Sequence, residues 1–160
     1  MSESTTGPQK FLQFSLGEEE YAVSLSRVKE VIAFPEVTPV PYTPSHFLGI
    51  MNLRGQVISV VDLRLKFKMS KAERNQETAV IILDLSPMTL GVVVNSVNSV
   101  LAALESEIAP RPDIETSQNS EFIIGVVRRD KALVLLLDIA RALNVQDLQA
   151  MGKATPHRAA

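Results

Sequence analysis

The chain has 160 residues, 46% of them hydrophobic, with 18 acidic against 16 basic side chains and a net charge of −2. That length buries roughly two thirds of the unfolded area, as one domain or two small ones sharing surface, and the near-even charge gives no reason to expect nucleic acid as a partner. Without cysteine there is neither a disulfide frame nor a thiolate metal site; with no apolar signal core near the start and no apolar run of roughly 20 residues, the expectation is a cytoplasmic protein.

Residues 1–9, rich in Ser, Thr, Gly and Pro, read as a frayed leader. Residues 11–16 (Phe-Leu-Gln-Phe-Ser-Leu) read as a strand, 17–20 (Gly-Glu-Glu-Glu) as a solvated turn, and 21–25 as the returning strand. Val28, Val31 and Ile32 then fall at i, i+3 and i+4, which predicts a short helix starting near Ser24 or Ser26 and stopped by Phe34-Pro35. Prolines at 35, 39, 41 and 44 leave room for no more than an edge segment over 37–40, and residues 45–48 read as one helical turn. His46 has no second histidine or cysteine nearby, so it reads as structural or exposed rather than as a ligand.

The next stretch organises the chain. Apolar residues fill 49–53 and 57–61, with Arg54-Gly55 between them, so the spacing predicts a hairpin with Arg54 at or beside its tip. Asp62 follows, a short carboxylate suited to start a helical turn through Leu63-Arg64-Leu65. The phrase returns 76 residues later without a gap. Gly49 falls on Gly125, Val57-Ile58 on Leu133-Val134, and Asp62-Leu63 on Asp138-Ile139. An upstream phrase repeats at a shift of 69, setting residues 11–14 on 80–83, Leu25 on Val94, Val28 on Val97 and Val31 on Val100. Two blocks repeating in the same order read as a doubled module.

Residues 66–77 form a polar junction; the basic residues from Arg54 to Arg74 could face an acidic partner or simply be solvated. The second copy runs through strands over 80–85, 90–94, 97–101, 122–127 and 133–137, with Ser86-Pro87-Met88 and residues 128–131 as turns and 105–120 as turn and loop. Asp138 can cap a helix through Leu143 and Asn144 another to about Met151; residues 149–160 read as a disordered tail. About ten short strands with many Pro, Gly and Asx turns make the fold mainly β, two small barrels of roughly 65 residues each that share a packed interface and leave a groove between them.

Reactive chemistry finds little support. The seven glycines are scattered, with no phosphate loop, no His-x-x-x-His and no Gly-x-Ser-x-Gly. Asp62, Asp84 and Asp138 each follow an apolar strand, but Asp62 and Asp138 are repeat images with the same capping job, so no metal site is expected. No catalytic pair can be assembled, and no cofactor is implied.

Phe14-x-Leu16-Gly17-x-x-x-Tyr21-Ala22-Val23, then Val28-Lys29-Glu30-Val31-Ile32, then Gly49-Ile50-Met51-Asn52-Leu53-Arg54-Gly55, closed by Val61-Asp62-Leu63-Arg64, resemble the chemotaxis coupling protein (CheW) family. The resemblance spans roughly residues 10–148, and no receiver, phosphotransfer or ATP-binding region accompanies it. It implies two packed five-stranded SH3-like β-barrels with short helices, intertwined within one domain over about 10–76 and 77–148. It also implies a non-catalytic adaptor joining the cytoplasmic tip of chemoreceptors to the regulatory domain of the histidine kinase CheA, recruited to membrane receptor arrays without inserting into the bilayer.

Carried onto this chain, the resemblance implies receptor contact or signalling at Val28, Glu30, Val31, Gly49 and Arg54. Val97 and Val100 join them as repeat partners of Val28 and Val31, and Leu25 is the candidate kinase contact. Glu30 and Arg54 are expected to lie close enough to attract one another. Two positions depart from the family pattern: Ser59 stands where proline is usual and Asn95 where aspartate is usual. Other readings are a coupler of another kinase pathway, such as type IV pilus motility or second-messenger control, and a small-ligand or nucleic-acid-binding barrel. The last wants aromatic platforms, and aromatics are 5% of this chain with no Trp.

Overall fold

A computed structural model describes residues 7–67, 76–85, 88–110 and 122–142. In chain order the strands are β1 (Gln9–Leu16), β2 (Glu19–Ser24), β3 (Val28–Ala33), β4 (Phe47–Leu53), β5 (Gln56–Asp62), β6 (Ala79–Asp84), β7 (Thr89–Val94), β8 (Ser96–Ala103), β9 (Ile108–Ala109), β10 (Ile123–Arg129) and β11 (Ala132–Leu137). Short helices α1 (Leu63–Lys66) and α2 (Ile139–Ala142) follow β5 and β11. The fold is mainly β, as the turn-rich sequence predicts.

The strands form two sheets. One, the first barrel below, runs β8-β1-β2-β11-β10-β9, and the other, the second barrel, runs β3-β6-β7-β5-β4. The repeat is visible in the registers. The antiparallel hairpins β4–β5 and β10–β11 shift register at Phe47/Gly49 and at Ile123/Gly125, which are images of one another. The parallel pairs match as well, Ser59 opposite Leu90 in one barrel and Leu135 opposite Tyr21 in the other. Each barrel mixes the copies: β1 and β2 lie with β8, β10 and β11, while β6 and β7 lie with β3, β4 and β5. The sixth strand of the first barrel is only the two-residue β9; the matching segment of the second makes a single bridge, Thr38 to Ile50.

Central strands of both barrels are apolar on both faces because each face has a core of its own. In β6, Val80 and Ile82 point into the second barrel with Met51, Ile58, Val60 and Val93. Ala79, Ile81 and Leu83 point the other way, into a seam shared with Phe14, Leu16, Tyr21, Val23 and Leu137 of the first barrel. The first barrel's own core is Phe11, Ala22, Leu101, Ala103, Val127, Val134 and Leu136. The shared seam is the largest of the three clusters. At about 1.5–3 kcal/mol for each fully buried large apolar side chain, it binds the barrels to one another as firmly as each is bound within.

Local chemistry sets the details. Asp62 caps α1 by accepting from the Arg64 backbone N–H at 2.9 Å, and its two oxygens also take the Arg64 guanidinium at 3.0 and 2.9 Å, the ion pair being almost fully buried. Asp138 does the same capping job for α2, accepting from the Arg141 N–H at 3.3 Å. Gly49 has φ +145°, and a Cβ there would sit 2.0 Å from the Thr38 carbonyl oxygen, so only glycine lets the proline-rich edge pair with β4. Of the two departures from the family pattern, Ser59 is buried in β5, and Asn95 accepts the Gly17 N–H at 2.7 Å.

Four expectations change. Residues 28–33 are a strand, not a helix: only Leu25–Arg27 makes a 3-10 turn, and β3 then pairs antiparallel with β6, Val31 opposite Ile81. Val28, Val31 and Ile32 are β-branched, stiff in a helix and at ease in a strand, and the open edge of β6 supplies a full ladder. Residues 45–46 form a turn closed by Phe47 N–H to the Pro44 carbonyl, 3.0 Å, and Phe47 already begins β4. Residues 9 and 10, placed in or beside the leader, are already in β1. The glutamates are not all in a solvated turn: Glu19 and Glu20 are in β2. Glu19 accepts the Tyr21 hydroxyl at 2.8 Å, and burial followed by that bond pushes the Tyr21 phenol well above its ordinary value. The 68–75 junction, Ser86-Pro87, Leu143 and the Asn144 helix lie outside the described residues.

Candidate docking surface

The β4–β5 turn holds Arg54 and Gly55 at φ 52° and 88°, both in the left-handed region that a two-residue hairpin loop of matching twist requires. Gly55 takes it freely; Arg54 does not, and the Asn52 side chain steadies the turn by accepting the Gly55 N–H at 2.7 Å. The turn aims the Arg54 side chain across the barrel at Glu30 of β3. Its two terminal nitrogens donate to the two carboxylate oxygens at 2.6 and 2.7 Å. The attraction expected from the sequence is therefore a bidentate pair. β3 and β4 are the two edge strands of this sheet, so the pair ties the hairpin tip to the opposite edge.

Its electrostatics are those of a surface latch. The hydrogen bonds from Arg54 hold the Glu30 carboxyl below its usual range, and the same bonds raise the guanidinium further. Arg54 remains 69% exposed and Glu30 30%. A planar, doubly hydrogen-bonded pair in that state presents a fixed charge pattern, useful for choosing a partner more than for stability.

Around it the other named residues separate. Val31, next to Glu30 on β3, faces outward and is 40% exposed. Val28, Val97 and Leu25 are half-buried and pack against the shared seam. Val100, 53% exposed, is on β8 in the other barrel, away from the Arg54 pair in the sheet order. Gly49 is buried in β4, where it lets the Thr38 edge approach. A cleft of about 100 Å³ opens between the barrels, lined by Val23, Arg27, Leu83, Ile124, Leu137 and Asp138.

Besides Val31 and Val100, the exposed large apolar side chains among the described residues are Tyr42, Leu104, Ile124, Val57 just after the Arg54 turn and Leu133 just after the Asp130 turn, none of which the sequence singled out. The 76-residue shift superposes Val57 and Leu133, and position in the hairpin, two residues past the turn pair, was the available signal for an outward side chain. Among the described residues no group of three or more His, Asp or Glu converges as metal ligands would, and no helix is long and apolar enough to cross a membrane.

Comparison with known proteins decides the family. The CheW-like domain profile matches residues 10–147. This chain belongs to the CheW family. It is 31% identical to the chemotaxis protein CheW of Klebsiella aerogenes over 140 residues, which cover 88% of this chain and 84% of that one. It is 30% identical to the Bacillus subtilis chemotaxis protein CheW, covering 93% and 95%. Among solved structures it is similar to the scaffolding protein TtCheW of Thermoanaerobacter tengcongensis, with a TM-score of 0.79 and 30% identity over 88% of this chain and 95% of that one. The two intertwined sheets are thus the CheW arrangement of two SH3-like β units, and CheW is a scaffold family.

Proposed function

We propose that this chain is a non-catalytic cytoplasmic adaptor that couples chemoreceptors to the histidine kinase CheA, held at membrane receptor arrays through those partners. Membership of the CheW family supports the role, and the names of the relatives, chemotaxis proteins and a scaffolding protein, agree with it. The observation that carries the site is the bidentate Arg54–Glu30 pair beside the outward Val31. An adaptor needs exposed apolar strips and a few oriented charges, and β3 offers both, Glu30 on the side of Ile82 and Val31 on the opposite side with Ile81. Receptor tips contact Val28, Glu30, Val31 and Arg54, with Val97 continuing the contact along the seam and Val100 lying at its far side. Leu25, at the start of the 3-10 turn before β3, meets the kinase regulatory domain, and Gly49 acts from beneath by fixing the strand that carries the hairpin.

Replacing Arg54 by glutamate sets two carboxylates against one another at this face. In a pull-down with receptor and kinase, Arg54→Glu is expected to lose the ternary assembly while keeping a normal thermal melt. Normal assembly by a normally folded Arg54→Glu protein refutes the assignment of the face.

A further inference from the structure

The mouth of the first barrel, on the side of the β10–β11 turn, is an open trough of about 630 Å³ lined by Glu20, Asn98, Val100, Leu101, Arg129 and Val134 among others. Glu20 at one end is fixed by neutral donors alone. Its Oε1 accepts from Gln13 Nε2 at 3.0 Å and from Asn98 Nδ2, and its Oε2 accepts from the Ser15 hydroxyl at 2.7 Å. Asn98 is held in turn, its Nδ2 donating also to Ser15 Oγ at 3.1 Å and its Oδ1 accepting from the Ser96 hydroxyl at 3.2 Å. The carboxylate is thus set in place before any partner arrives, and no lysine or arginine among the described residues closes on it. The trough's own cation is occupied elsewhere: Arg129 donates to the carbonyls of Ala102 and Arg128. Ala102 lies four residues beyond Asn98 on β8, roughly 13 Å along the strand.

The second barrel shows what a closed mouth looks like. There Ile82 replaces Gln13, Thr89 replaces Glu20 and Lys29 replaces Asn98 by the 69-residue shift, and the Arg54–Glu30 pair ties the edges. In the first barrel the same two positions are Asp130 and Ser99, which cannot form that pair. β8 is also an edge strand, with Val100 outward, so an extended chain can lie beside it and reach the carboxylate.

We infer that this mouth is a second docking site, which takes the lysine or arginine of an extended, otherwise apolar segment of a partner protein onto Glu20. Leu101 and Val134 form the buried floor of the trough, Val100 stands on the outer face of the β8 edge where the flanking apolar side chains lie, and the preset carboxylate receives the cation with little further ordering. The site is in the other barrel from the Arg54–Glu30 pair, meets the proposed receptor contact only at Val100, and does not depend on which partner that contact serves.

The test is an amide NMR titration of the full chain with two capped five-residue peptides, threonine at each end, valine next, and either lysine or norleucine in the middle. The lysine peptide is expected to move the amides of Ser99, Val100 and Ala132, and the norleucine peptide to bind about tenfold more weakly. Glu20→Gln should bring the two peptides level. Should that variant lose its dispersed spectrum, Ala132→Lys, which leaves the Glu20 network untouched, should weaken the lysine peptide by a similar factor. The inference is overturned by equal binding of both peptides, by no shifts at millimolar lysine peptide, by shifts that gather at Glu30 and Arg54, or by a folded variant that keeps the preference for lysine.

Discussion

The two barrels are built on one plan and finished differently at the hairpin tip. Arg54 and Asp130 occupy the same place in the repeat and share nearly the same backbone, φ 52° and 53°. Yet Arg54 reaches a carboxylate on the opposite edge strand, while Asp130 has a serine, Ser99, in the matching place. One tip is latched and the other is open. The same contrast recurs below the surface: Asp62 is buried against a guanidinium, whereas its image Asp138 meets Arg141 at 3.7 Å with the guanidinium exposed and the carboxylate half-buried. A duplicated backbone therefore keeps its register and bulges while its side chains diverge wherever water can replace a partner.

The largest asymmetry is expected at the capping aspartates. Asp62→Ala strips the carboxylate from a buried arginine and should cost about 3–5 kcal/mol, whereas Asp138→Ala should cost about 1 kcal/mol as the loss of a cap. Urea unfolding of the two variants checks this, and equal costs would mean the buried pair adds nothing over its solvated image.

Next come the bulge glycines. Gly49→Ala drives a Cβ to 2.0 Å from backbone at Thr38 in a left-handed conformation, while Gly125→Ala meets first the side-chain methyl of Ile108 at 2.6 Å. The first should cost about 3 kcal/mol or more and the second about 1–2 kcal/mol, because a methyl gives way more readily than a carbonyl. Thermal unfolding ranks them; the reverse order would show that the Thr38 edge yields easily.

The smallest effect is in pH. Glu30 binds its proton less readily folded than unfolded, so the contribution of its pair with Arg54 is complete above the ordinary carboxylate range. It fades as pH falls through the lowered Glu30 value. In an NMR titration Arg54→Ala should return Glu30 to the ordinary range, and an unchanged Glu30 titration would mean the latch is absent in solution.

Much of this was legible beforehand for identifiable reasons. The hairpin at residues 49–62 could be read because two apolar runs flank a glycine turn, and its image at 123–137 because the shift carries no gap. The β3 segment was misread because Val28, Val31 and Ile32 satisfy helical spacing by accident. Its image at 97–101 reads as a strand, so the repeat contains the correction. Glu20 looked like one of three solvated turn acids because the donors that hold it, Gln13 and Asn98, are distant in sequence or on another strand. The outward Val57 and Leu133 were hidden inside apolar runs that gave no sign of which residue faces water.

Sequence alone determined most of the strands, though not β3, together with most turns and the doubling, since those depend on short-range sterics and on the period of apolar residues. Tertiary structure alone decided that the copies exchange strands, that Arg54 meets Glu30 while Asp130 meets no such partner, and that one barrel mouth stays open. Those outcomes depend on which distant edges are brought together, and a pattern of local preferences contains no term for that.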